Sequence, residues 1–377
     1  MDFSLSEEQR MLKDTARRFC MKECPRTMVR EMAKDERGYS PDLWQKMAHL
    51  GWLGLIFPTK YEGVGGSFLD LMILLEEMGR ALMPSPFFAT VVLGGLSILE
   101  AGNEQQKGSL LPKVANGEIL LTLAITEPNA RNEMDSITAE AQLHDSDFIL
   151  EGVKVLVPYG HVADYIICIA RTRKEAKLSQ GVSVLIVNAR SEGITISSVN
   201  TIGHDKQCVV LFRNTPVSAS NILGELNAGW VHAGNVVQKA AVALCAHMNG
   251  GTEKVIEMSR EHAMNKVQFG QCIGSFQAIQ HRLADMLIGL EASKVLTYEA
   301  AWKISEGSSY EMEAAIAKAS ASECYRHATW LAMQIQGGIA FIEEHDMPLY
   351  YRWAKAAETS FGDADFHREI IAGQLFG

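Results

Sequence analysis

Apolar positions along the chain change their spacing twice. Over the first ~120 residues they recur every three to four positions, the spacing of one helix face. Ser6-Glu7-Glu8-Gln9 reads as a capping box, with the serine hydroxyl taking an amide of the first turn and Gln9 reaching back. Met11, Ala16 and Phe19 continue that helix, and Pro25 interrupts it. Pro41-Asp42-Leu43-Trp44 starts a helix that stops at Gly51, and the glycine-rich stretch from Pro58 to Gly66 is a loop. Leu69 to Leu82 is strongly apolar and helical, Pro84-Ser85-Pro86 ends it, and a further helical run covers Phe87 to Ala101. Between about Leu120 and Leu223 the helical spacing gives way to short β-rich runs: 148–150, 154–157, 165–170, 182–187, 194–199 and 209–212. Turn residues such as His144-Asp145-Ser146-Asp147 and Ser191-Glu192-Gly193 separate them, which predicts a small antiparallel sandwich or barrel. After Gly229 the helical period returns in long segments, 236–247, 251–266, 277–305, 310–337 and 350–376. The expected class is α+β, in three domains: an N-terminal helical domain at 1–120, a middle β domain at 121–225 and a C-terminal helical bundle at 226–377.

Composition narrows the function classes. The chain has 377 residues, 47% hydrophobic and 21% charged, enough for two or three domains with substantial cores. No apolar run approaches the roughly 18 residues of a membrane span. The opening Met1-Asp2-Phe3-Ser4 is acidic and lacks the basic start of a secretory signal. A formal charge of -10 argues against nucleic acid as a main partner, while leaving room for an anionic cofactor held by a few local donors. Seven cysteines are scattered, and only Cys20 and Cys24 lie one helical turn apart. Free thiols in a reducing cytoplasm are the expectation. No His/Cys cluster has metal-ligand spacing, and Glu343-Glu344-His345-Asp346 reads as a polar loop, so no metal is expected.

Four segments carry chemistry. Leu123-Ala124-Ile125-Thr126-Glu127-Pro128 lies at the entry to the β region, and Gly152-Val153-Lys154-Val155-Leu156-Val157-Pro158 follows within it. Lys266-Val267-Gln268-Phe269-Gly270 precedes Phe276-Gln277. Near the end stand Gln334-Ile335-Gln336-Gly337-Gly338, Arg352-Trp353-Ala354-Lys355 and Phe361-Gly362-Asp363. Over nearly its whole length the chain resembles the acyl-CoA dehydrogenases, FAD enzymes that introduce a double bond next to a coenzyme A thioester. The resemblance implies an all-α domain, an antiparallel β domain and a four-helix bundle. It implies FAD, held by Leu123, Ile125 and Thr126 at the pyrimidine side, and by Gln334, Gly337 and Gly338 at the pyrophosphate. Pro158 stands where a threonine usually meets the flavin's N5, and it offers neither N–H nor hydroxyl. Lys266, Phe269 and Gln277 match the segment that grips the FAD of a neighbouring subunit, with lysine in place of arginine. A tetramer built as a dimer of dimers is implied, with electron-transferring flavoprotein the usual acceptor. Asn132 stands where a serine contacts coenzyme A, and the resemblance puts Pro84 to Gly94, with Thr90, beside the acyl chamber. That segment is apolar and suggests a bulky or cyclic acyl group.

The departure that matters most is the base. Dehydrogenation removes a weakly acidic proton at Cα, so a carboxylate is normally placed against it. In most of the family it directly precedes the glycine matched by Gly362, where this chain has Phe361. The alternative position, on the first helix of the bundle, falls at Ala240, and an arginine that often follows falls at Ala241. Asp363 is the nearest carboxylate and is the candidate base; Glu358 and Asp365 stand behind it. Three readings fit. One is an acyl-CoA dehydrogenase with a relocated base and an unusual acyl group. The second is a base-lacking subunit of a hetero-oligomer, with a related chain supplying the glutamate. The third is a flavin monooxygenase or a non-redox acyl-CoA enzyme on the same fold, since fold alone does not fix function.

Overall fold

The computed structural model describes residues 5–129, 136–173 and 180–377. The helical start is α1 (Glu7–Glu23), α2 (Arg26–Lys34), α3 (Pro41–His49) and α4 (Phe68–Ala81). Ser6 and Gln9 form the expected reciprocal cap on α1, and Ser67 with Asp70 forms another on α4. Beyond Pro86 the chain widens into a π-helix, Phe88–Gly95, then narrows to α5 (Leu96–Ala101) and continues to α6 (Glu104–Ala115). Two glycines permit this wide turn to sit tightly. A Cβ on Gly94 would lie 2.3 Å from Leu121 Cβ, and one on Gly95 would lie 2.6 Å from Phe57 Cζ.

The middle of the chain is an eight-stranded sheet. Its strands are β1 (Leu121–Ala124), β2 (Glu140–His144), β3 (Asp147–Pro158), β4 (Tyr165–Arg171), β5 (Val182–Asn188), β6 (Ile194–Val199), β7 (Gln207–Ser218) and β8 (Ile222–Leu223). The order is β6-β7-β3-β2-β4-β5-β8, mostly antiparallel, with β1 beside β4 in parallel register from Leu121↔Tyr165 to Ala124↔Cys168. The two apolar runs at 148–150 and 154–157 belong to the single strand β3, whose alternation is broken by register shifts at Leu150/Gly152 and Lys154/Val157. The apolar run of β4 is continuous because both faces are covered. Ile167 and Ile169 join the large core shared with the helices, whereas Ile166 and Cys168 join a second core with Phe148, Leu150 and Phe212.

The C-terminal half is α7 (Gly229–Asn265), α8 (Gln277–Ser305), α9 (Glu311–Gln336), α10 (Met347–Thr359) and α11 (Ala364–Phe376). The helix α7 runs without a break through Asn249-Gly250-Gly251, where the spacing alone suggests two segments. Packing overrides the local cost of glycine: a Cβ on Gly250 would lie 1.8 Å from the Glu76 carbonyl oxygen, and one on Gly251 would lie 2.5 Å from the Tyr325 hydroxyl. The segment expected as one helix at 350–376 is two, α10 and α11, because Phe361 (φ 58°) and Gly362 (φ 93°) are left-handed and end the helical path. Between α7 and α8, the strands β9 (Val267–Gln268) and β10 (Gln271–Cys272) form a hairpin with Phe269 and Gly270 at its tip, both at positive φ. Among the described residues no helix is long and apolar enough to cross a membrane, and no His/Cys/Asp/Glu group is arranged to hold a metal.

Candidate active site

The Thr126-Glu127-Pro128 loop is anchored from below by a buried ion pair. The Glu127 carboxylate accepts from Lys154 Nζ at 2.7 Å, from the Thr138 amide at 2.8 Å, from the Ala139 amide at 3.0 Å and from the Thr138 hydroxyl. Lys154 also donates to the Ile125 carbonyl at 3.2 Å, and the Val155 amide donates to the Thr126 carbonyl at 2.9 Å. Both members of the pair are out of solvent, at 0% and 1% exposure. Burial pushes Glu127 up, but the Lys154 charge and the converging donors hold it below the usual carboxylate range. The loop is thereby fixed next to Leu123 on β1 and Pro158 at the end of β3, whose carbonyl accepts from the Thr122 hydroxyl. Leu156 and Tyr159, on either side of Val157-Pro158, both take positive φ, so this strand end bends sharply.

The π-helix packs on β1 and α7 and brings Phe88 to Phe361. Their rings stack at 5.8 Å between centroids and 27° between planes. Ala240 and Ala241 are buried in α7, and the segments 87–95, 236–248 and 360–362 contain no aspartate or glutamate. Thr90 is buried, with its hydroxyl donating to the Leu121 carbonyl and accepting from the Leu121 amide, both at 3.2 Å. Asp363 is the exposed N-cap of α11 and accepts from the Phe366 amide at 2.9 Å. Asn132 lies outside the described residues.

The groups matched to the cofactor's phosphate end lie apart from this cluster. Lys266, Phe269 and Gln277 are all exposed, and the Phe269 ring, at 92% exposure, stands out from the hairpin tip. Gln334 is exposed on α9. Gly337 (φ 65°, ψ -145°) adopts a conformation open almost only to glycine, and nothing lies within 4 Å of a Cβ built on Gly337 or Gly338. Gln336 beside them is buried with both side-chain amide atoms unpartnered. The open backbone at Gly337-Gly338 and the unpaired Gln336 amide are groups suited to an anionic dinucleotide.

Three residues around residue 361 escaped sequence reasoning. Phe88 lies in the apolar segment expected beside the acyl chamber, but its sequence gives no sign of its contact with Phe361. Lys318, fully buried on α9, donates to Ser322 Oγ at 2.9 Å and to the carbonyls of Glu358 and Gly362 at 3.1 and 2.8 Å. Burial lowers its ammonium to about 8. His367 meets the Phe361 carbonyl through Nε2 at 2.9 Å, and burial lowers its imidazole to about 4. A lone lysine within Ala314-Ala315-Ile316-Ala317-Lys318-Ala319 was the one available signal.

Family models for the acyl-CoA dehydrogenase N-terminal, middle and C-terminal domains match residues 6–118, 122–215 and 227–376. The chain is 30% identical to an acryloyl-CoA reductase (NADH) of Anaerotignum propionicum, over 100% of this chain and 96% of that protein. It is 28% identical to the caffeyl-CoA reductase-Etf complex subunit CarC of Acetobacterium woodii, over 98% of each. The solved structure of butyryl-CoA dehydrogenase from Megasphaera elsdenii superposes with a TM-score of 0.94 at 29% identity, covering 100% of both chains. With the three domains in order and the fold shared from end to end, the chain belongs to the acyl-CoA dehydrogenase family of oxidoreductases acting on a CH–CH bond.

Proposed function

We propose that this chain is an FAD-holding, acyl-CoA-binding subunit of a mixed oligomer in which a related chain supplies the proton-transferring carboxylate. The carrying observation is the Phe361–Phe88 stack at the usual position of the base. Asp363 is the other candidate, but its exposed carboxylate is taken up as the N-cap of α11, accepting from the Phe366 amide. The chamber segments carry no acid of their own. An aromatic pair and buried alanines instead offer an apolar lining, which suits a bulky or cyclic acyl group.

FAD, when bound, would take up or release the hydride at Cβ. The residues present fit it: Thr126 and Ile125 sit on a loop stiffened by Glu127 and Lys154, and Gly337-Gly338 present open backbone. Lys266, Phe269 and Gln277 project outward, as groups serving a neighbouring subunit must. Pro158 leaves its side of the site with one polar donor fewer. The seven free cysteines suit a reducing cytoplasm. Kinship with the subunit of an Etf complex supports an electron-transferring flavoprotein as electron partner.

The test is Phe361→Glu in the chain purified alone with FAD. The wild-type chain should bind a ring acyl-CoA yet bleach its flavin only slowly. The glutamate variant should bleach about 10²–10⁴ times faster, the usual worth of a placed general base. Fast bleaching by the wild type alone would refute the proposal, as would an inert variant that still binds the thioester.

A further inference from the structure

Lys318 is a costly residue for its place. An ammonium in an alanine-rich helical interior loses its hydration, and an apolar side chain of the same length would pack there without that penalty. Its three acceptors explain what it does. The Glu358 carbonyl belongs to the last turn of α10, where carbonyls lack helical partners and a cation is favoured. The Gly362 carbonyl belongs to the turn that presents residue 361. The Phe361 carbonyl, one peptide earlier, faces His367 Nε2. A carbonyl only accepts, so Nε2 carries the proton and the buried Nδ1 is bare and unpartnered.

Both residues of that turn are left-handed, an unfavourable state for a phenylalanine that persists only where its surroundings hold it. The hold comes from behind, through the two consecutive carbonyls, while the ring points to Phe88. Glycine is needed at 362, because a Cβ there would lie 2.3 Å from Phe366 Cδ1 and 3.1 Å from His367 Nε2. The turn therefore keeps the rigidity a base would require, with an aromatic ring in the base's place.

We propose that Lys318 and His367 are positioning residues that pin the Gly362 and Phe361 carbonyls and so hold the Phe361 ring as a wall selecting ring-shaped over straight-chain acyl groups. This rests on the reading of the chamber as an acyl-CoA site. Substituting Lys318 frees the Glu358 and Gly362 carbonyls, substituting His367 frees that of Phe361, and either change lets the ring leave Phe88. The coenzyme A portion, bound elsewhere, should be unaffected.

The experiment measures dissociation constants of the FAD-loaded protein for cyclohexanecarbonyl-CoA, heptanoyl-CoA and free coenzyme A, with hydrogen exchange read at the amides of Phe366 and His367, which donate to Asp363 at the end of the turn. Wild type should prefer the ring thioester and protect those amides. Lys318→Met and His367→Leu should each lose about tenfold of that preference, the worth of a charge-assisted or buried hydrogen bond, and lose the protection, with coenzyme A affinity within about twofold. His367→Gln keeps an N–H donor and should keep the preference, which a general packing defect would not allow. Should Lys318→Met fail to fold, Lys318→Gln and the His367 pair carry the same comparison. The pH profile adds a readout. Lys318, facing Cys245, Glu358, Asp363 and His367, loses its charge near pH 8, so the wild-type ring preference should decline above that pH. Variants with full ring preference and full protection would overturn the inference. A wild type that binds both thioesters equally would overturn it and leave the acyl-CoA reading standing. A wild type that binds neither would overturn both.

Discussion

Lys154→Met tests how the Thr126 loop is held. Lys154 and Glu127 are removed from water together, and the pair is joined at 2.7 Å. Deleting the ammonium leaves a buried carboxylate with three donors: the Thr138 and Ala139 amides and the Thr138 hydroxyl. Breaking a buried pair from one side typically costs about 3–5 kcal/mol, and the surviving donors put this case near the lower end, about 3 kcal/mol. An exposed pair would cost about 0–1 kcal/mol. Denaturant unfolding of the two proteins measures the difference. Its pH dependence is equally specific. In the wild type Glu127 lies below its unfolded value, so the unfolded chain binds the extra proton; the stabilisation is full above the ordinary glutamate range and is lost as pH falls through the lowered value. In the variant the unpaired carboxylate is raised by burial, so protonation relieves it and the gap to wild type should narrow on acidification. A cost under about 1 kcal/mol, or a gap that widens as pH falls, would refute the buried-pair argument.

Three further outcomes follow from the geometry. Gly250→Ala should lower the melting temperature despite alanine's better helix propensity, since its Cβ would meet the Glu76 carbonyl at 1.8 Å; a stabilised variant would mean that α4 and α7 are not so closely packed. Asp363→Ala should cost about 1 kcal/mol in denaturant unfolding as a lost helix cap, with acyl-CoA turnover of the assembled oligomer within a few-fold; loss of turnover at full stability would return Asp363 to the role of base. Phe269→Ala should leave unfolding within about 0.5 kcal/mol, because the ring is 92% exposed, while FAD retention by the assembled protein falls; unchanged retention would separate the hairpin from the cofactor.

Features legible in the sequence have local causes. The Ser6 capping box is written in four consecutive residues, and its bonds are those of the structure. The α, β, α order follows from a change of apolar period that no tertiary contact hides. The distant features were not legible. Nothing near Lys318 in the chain shows that its acceptors lie 40 and 44 residues further on. The glycines at 250 and 251 look like a helix end until Glu76 and Tyr325 are seen against them. The break at residue 361 rests on a left-handed phenylalanine, which propensity disfavours and only surrounding contacts sustain. Within the candidate site, the motif spacing located residue 361, but its ring contact with Phe88 needed the π-helix to be known.

The central claim is that residue 361 shapes the acyl chamber and that proton transfer belongs to another chain. A crystal structure of this chain alone with FAD and a ring acyl-CoA tests it most directly. The expected result is the Phe361 ring against the acyl group and no carboxylate of this chain within hydrogen-bonding reach of Cα. An aspartate or glutamate of this chain placed against Cα would contradict it.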